Sequence, residues 1–130
     1  MKRLLDTNVY VALKRGHTET ANIVRTASAI AFSSIVMGEL LFGFRNGNRL
    51  TKNMEELEDF ITDSRVELLA VSETTADRFG RIAAALRKAG KPIPTNDIWI
   101  AAHASESGAE LVTFDGHFAA IAGLVWTQLS

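Results

Sequence analysis

Short apolar runs alternate along the chain with longer stretches whose apolar residues recur every three or four positions. The runs at Arg3–Leu5, Ala29–Phe32, Val66–Leu69, Leu111–Thr113 and Leu124–Trp126 read as strands. The intervening spacing predicts helices over Asn8–Lys14, Glu19–Ala27, Ile35–Phe44, Lys52–Thr62, Thr75–Ala89 and Asp97–Ser107, with a short one after Gly116. The fifth of these has the plainest pattern. Ala76, Phe79, Ile82, Ala83 and Leu86 make one apolar stripe, and Gly90 followed by Pro92 stops it. Strand and helix in alternation favour a parallel, mostly five-stranded sheet covered on both faces, a single three-layer α/β/α domain over residues 1–130. In such sheets ligands gather beyond the carboxyl ends of the strands.

Composition narrows the class. With 47% of its 130 residues hydrophobic and 22% charged, the chain has the profile of a folded globular domain. The absence of cysteine removes disulfides, cysteine-ligated zinc and thiol nucleophiles together. Asp6 interrupts the first apolar stretch after two leucines, so no signal peptide is expected there. The stretch AIAFSSIVMGELLFGF is too short and too polar to span a bilayer. A cytoplasmic protein with no membrane association is the expectation. A net charge of −1 argues against a broad basic surface for nucleic acid. Setting four carboxylates aside as metal ligands moves that balance to +3, so the question becomes whether four acids cluster.

Four acids occupy informative places. Asp6 stands between the first strand and the first helix, where a turn or cap residue is the plain alternative. Glu39 has Ile35, Val36, Phe42 and Gly43 as its helical neighbours, so it projects from an apolar face and calls for a cation or a partner, unless it merely edges the core. Asp97 lies in PTNDIWIAAHA, just inside a helix start, where the helix dipole alone favours an acid. Ala101 and Ala102 after it are small, which lets that helix approach the sheet closely. Asp115 follows the fourth strand in an Asp-Gly pair, itself a common turn signal. A doubly wound sheet brings all four to one edge. That many hard oxygen ligands suit Mg2+ or Mn2+ rather than zinc.

Thr7, Asn8, Ser33 and Thr113 flank these acids and are candidates to orient them or a water, with capping as the alternative. His17, His103 and His117 form no i,i+4 metal pair and stand beside no nucleophile, so surface or packing roles are expected. Arg45, Arg49, Lys52, Arg78, Arg81, Arg87 and Lys88 are candidate phosphate contacts or simply a solvated face.

The order LLDTN, SSIVMGELLFG, PTNDIWIAAHA and LVTFDGHF resembles the PIN-domain ribonucleases, in particular the VapC toxins of bacterial toxin–antitoxin pairs, over the whole chain. The resemblance implies a PIN-like fold, an acidic Mg2+ site and endonucleolytic cleavage of RNA. It also implies a cognate antitoxin, and a homodimer is expected. By position, Asp6 and Asp97 match the principal metal ligands, Glu39 and Asp115 the remaining acids, and Asn8 and Thr113 the polar supporting positions. Asp115 is expected to complete the metal set, with Glu39 either holding the attacking water or helping to complete the arrangement around the ion or around a second one. One departure is plain: many relatives carry an acid directly before the last motif's phenylalanine, where this chain has His117 before Phe118. Two rivals belong to other classes. A signalling receiver domain needs an acceptor aspartate after the third strand, where VELLAVSETT offers only Glu73, past Ser72. A non-catalytic PIN-like module acting with a DNA-binding partner is the alternative that remains.

Overall fold

The first apolar run becomes β1 (Lys2–Leu5), the central strand of a five-stranded sheet, in a computed structural model that describes residues 1–130. Leu4 and Leu5 point to opposite faces and both are fully buried, which requires cover on both sides. The chain continues through α1 (Thr7–Lys14), α2 (Thr18–Thr26), β2 (Ala29–Ser33), α3 (Ser34–Asn46), α4 (Leu50–Ile61), β3 (Val66–Leu69) and α5 (Glu73–Ala89). It ends with α6 (Thr95–Ser107), β4 (Glu110–Thr113), a 3-10 turn over Gly116–Ala120 and β5 (Trp126–Gln128). Every strand pair is parallel, in the order β3-β2-β1-β4-β5. The α/β class and the five-stranded parallel sheet are as the alternation predicts.

That order decides where a site can form. The chain builds outward from β1 through β2 to β3, then crosses to the other side of β1 for β4 and β5. The strand order therefore reverses between β1 and β4, which opens a crevice at their carboxyl ends. Leu5 lies opposite Val112, and the Asp6 N–H donates to the Val112 carbonyl at 3.0 Å. Asp6 is thus held against the β4 edge, at the level of Thr113.

The helices begin a residue or two before the apolar periodicity does, and at α1, α2, α3 and α5 a polar side chain, which carries no hydrophobic signal, caps the start. Ser33 caps α3 by accepting from the Ile35 N–H at 3.1 Å, and Ser72 and Thr75 close a reciprocal cap on α5. Gly90 adopts the left-handed φ of 67° that ends α5, the role its position suggests. Phase differs at one residue of the predicted stripe: Ala76 is exposed, and Thr75 takes the buried place, its hydroxyl donating to Glu106 Oε1.

The last strand is also displaced. The apolar run Leu124–Trp126 marks its start, but pairing with β4 sets Trp126 opposite Leu111 and Gln128 opposite Thr113, leaving Val125 largely exposed. Register on the neighbouring strand outweighs local hydrophobicity there. One cluster of 23 buried residues fills the interior. Ala101, Ala102 and Ala104 of α6 are buried against β2 and β4, and Trp99 stacks on Phe79 of α5 with ring centroids 4.0 Å apart. No helix is long and apolar enough to cross a membrane.

Candidate metal centre

Asp6 is a helix cap and a buried acid at once. It caps α1, its Oδ1 accepting from the Thr7 N–H at 2.8 Å, while its Oδ2 accepts from the Thr113 hydroxyl at 2.7 Å. The Thr113 Oγ1 in turn accepts from the Asp115 N–H at 3.0 Å. One fully buried threonine thus fixes the carboxylate after β1 and the backbone of the acid after β4. Burial pushes the Asp6 carboxyl above its ordinary value of 3.8, and the charges of Asp97 and Glu39 push it the same way; the Thr113 and Thr7 hydrogen bonds pull against them.

Asp97, third residue of α6, is likewise raised, chiefly by burial and further by Asp115 and Glu39, while His117 opposes the shift. Glu39 is half-buried on α3. Its Oε1 accepts from the Thr7 hydroxyl at 2.5 Å and its Oε2 from the Asn96 side-chain amide at 3.4 Å. Carboxylates from two strand ends, one helix start and one helix interior therefore meet at the crevice between β1 and β4. Asp97 is the shared member, acting on Asp6 and acted on by Asp115 and Glu39.

His117 corrects the expectation of a surface or packing role. Its Nε2 is 2.5 Å from Asp97 Oδ2 and its Nδ1 is 2.8 Å from Asp115 Oδ1. Asp115 caps the 3-10 turn, accepting from the His117 N–H at 3.1 Å, and this turn folds the ring back over α6. Histidine pairs four apart on one helix are the wrong pattern here, because the partners sit on two segments. The short Asp115-Gly116-His117 spacing across a turn was the available signal. His103 does pack: it is fully buried, with Nδ1 2.7 Å from Ser33 Oγ and Nε2 3.1 Å from the Ala70 carbonyl oxygen. His17 caps α2.

Ligating atoms of Asp97, Asp115 and His117 lie within 4.8 Å of one another, close enough to share one ion. Asp6 joins them through Asp97 rather than as a member of that trio. Asn8 is exposed and lines the same cleft as Asp6, Thr113 and Asp115, without a hydrogen bond to any acid. Asn96 supports Glu39, a role the sequence pattern did not mark. Asp97 and Asp115 bring two carboxylates and His117 a ring nitrogen within reach of one ion, with the Asp6 carboxylate acting on Asp97 beside them, and a lining this rich in carboxylates suits a hard divalent cation.

The PIN domain model matches residues 3–124, and the chain belongs to the PIN-domain family. Its curated relatives are VapC proteins. It is 37% identical over 115 residues to Ribonuclease VapC2 of Haemophilus influenzae, covering 87% of this chain and 86% of that one. It is 31% identical over 115 residues to the tRNA(fMet)-specific endonuclease VapC of Salmonella typhimurium, covering 87% and 86% respectively. Among solved structures, a chain of VapBC2 from Rickettsia felis bound to a promoter DNA fragment superposes with a TM-score of 0.89 at 30% identity over the full length of both chains. VapBC-1 of nontypeable Haemophilus influenzae gives 0.85 at 29% identity over 98% of each. PIN-domain nucleases are generally dependent on divalent metals, and the acidic crevice fits that chemistry.

Proposed function

We propose that this chain is a Mg2+-dependent endoribonuclease, the toxin of a type II toxin–antitoxin pair, with Mn2+ able to replace Mg2+. The observation that carries the proposal is the gathering of Asp6, Glu39, Asp97 and Asp115 at the reversal of strand order, with two of the carboxyls raised by burial and mutual repulsion. A cation between them relieves that repulsion.

Asp6, Asp97 and Asp115 hold the ion in this reading. Bound there, it supplies Lewis acidity, lowering the pKa of water and offsetting negative charge that develops on a phosphodiester. The chain's own residues do the positioning. Thr113 locks Asp6 in orientation and ties the Asp115 backbone to it, and Asn8 lines the open side of the cleft. Thr7 and Asn96 hold Glu39 on the opposite flank, where it orients the attacking water. No side-chain nucleophile is needed. Cleavage is in-line, with RNA as the substrate.

The partner is a cognate antitoxin, and the free chain forms a homodimer in the cytoplasm. The names of the VapBC neighbours support the first of these. Phe42, 71% exposed on α3 and one turn beyond Glu39, and Met54 of α4 offer apolar surface for a covering chain.

The test is RNA cleavage by the purified chain with Mg2+, with EDTA and in the Asp97→Asn variant. Cleavage only by the wild type with metal is expected. Full activity in Asp97→Asn, or activity that survives EDTA, refutes the proposal.

A further inference from the structure

One face of α1 leads away from the acidic cleft. Asn8, Val11, Ala12 and Arg15 recur at three- and four-residue spacing, so they form one row along the helix. With Gly16 and His17 they line a second cleft of about 450 Å3. Asn8 belongs to both clefts. Phe114, which lines the acidic one, packs edge-on against the His17 ring with centroids 5.6 Å apart. The two clefts therefore adjoin, and the row from Asn8 to Arg15 carries the second about 10 Å onward.

The far end of that cleft carries donors without partners. Arg3, Arg65 and Arg81 are paired with Glu110, Asp63 and Asp77, whereas the exposed Arg15 guanidinium is engaged by no carboxylate. Gly16, at a left-handed φ of 83°, turns the chain so that His17 follows beside it. The His17 Nδ1 accepts from the Thr20 N–H at 3.3 Å, so the neutral ring carries its hydrogen on Nε2, which has no partner in the chain. A planar guanidinium and a ring N–H are groups that recognise phosphate. An RNA strand with its scissile phosphate among the carboxylates must also leave the acidic cleft. Glu39 stands on the opposite flank, so charge favours an exit along α1. Resting on the nuclease reading above, we propose that the α1 cleft holds the nucleotide next to the scissile phosphate, with Arg15 and His17 Nε2 donating to that nucleotide's own phosphate. Contacts of this kind fix the strand's position and carry no base preference.

Binding of a short labelled single-stranded oligoribonucleotide, followed by fluorescence anisotropy in Mg2+ over a range of salt, tests this without catalysis. The full chain carries Asp97→Asn throughout, which keeps the RNA intact. Adding Arg15→Gln is expected to weaken binding about fivefold and to lower the slope of log K against log salt by about 0.7, the share of one phosphate on a single strand. Adding His17→Asn, whose side-chain oxygen still caps α2, is expected to weaken binding with the slope unchanged, because no charge is lost. Arg81→Gln removes a guanidinium already paired with Asp77 at 2.9 Å and serves as the control. An equal loss in Arg15→Gln and Arg81→Gln overturns the α1 assignment, and so does an unchanged affinity and slope in Arg15→Gln. An Arg15→Gln chain that keeps its RNA affinity but releases a co-expressed antitoxin gives the cleft to the protein partner and likewise overturns it. RNA binding that ignores Arg15 leaves the nuclease reading standing, whereas a chain that binds no RNA at all overturns both.

Discussion

Replacing Asp6 by Asn should invert the order of stability between metal-free and metal-loaded protein. The substitution keeps shape and most hydrogen bonding: an amide oxygen still accepts from the Thr7 N–H, and the amide nitrogen can donate to the Thr113 hydroxyl. Losing the charge weakens two charge-assisted bonds, costing about 2 kcal/mol in all. Against this stands relief from a buried charge and from two like-charged neighbours, Asp97 and Glu39. At an effective dielectric near 20, adjacent like charges repel by up to about 4 kcal/mol. The carboxyl is raised overall, so the unfavourable terms win. In EDTA the variant should therefore equal the wild type or exceed it by up to about 2 kcal/mol, a rise in Tm of up to roughly 7 °C for a chain of this length. Divalent ion at about a hundred times its Kd stabilises a protein that binds it by about 2.7 kcal/mol. The wild type should gain that and the variant little, so the two melting curves cross over when ion replaces EDTA. Calorimetry or dye-monitored melting reads both arms. A variant more than about 1 kcal/mol less stable than wild type in EDTA would refute the repulsion argument. Equal shifts on adding ion would remove Asp6 from the ligand set.

Acidification provides an independent handle on the same carboxyl. An acid that holds its proton more tightly folded than unfolded costs stability as pH rises from its ordinary value of 3.8 through its raised one. In EDTA the stability gap between Asp6→Asn and wild type should accordingly narrow as pH falls from 7 towards 3.8, measured by denaturant unfolding at each pH; a gap independent of pH over that whole range argues that Asp6 is not raised. Phe42→Glu should change the stability of the free chain by no more than about 0.5 kcal/mol, because the ring is largely solvent-exposed. The same substitution should weaken binding of the co-expressed antitoxin at least about tenfold, and an unaltered Kd would take this part of α3 out of the interface.

Local pattern was enough to determine the alternation of strand and helix, because a period of two or of 3.6 is written in neighbouring residues. It placed Asp6 and Asp115 after strands and Asp97 in a first helical turn, and the preference of doubly wound sheets for ligands at strand ends drew them together with Glu39. The family motifs LLDTN and PTNDIWIAAHA were legible for the same reason, being contiguous. What only the tertiary structure decided rests on contacts between distant residues. Thr113 reaches Asp6 across 107 positions, Asn96 reaches Glu39 across 57, and His117 reaches Asp97 across 20. The register of β4 on β1 makes the first of these, and the same kind of strand pairing moved β5 off its apolar run. His117 looked idle because its partners lie on a helix start and a turn that meet only once α6 packs on the sheet. Hydrogen bonds and metal donors are short-ranged and directional, so their partners are set by where packing brings the backbone, which no local periodicity encodes.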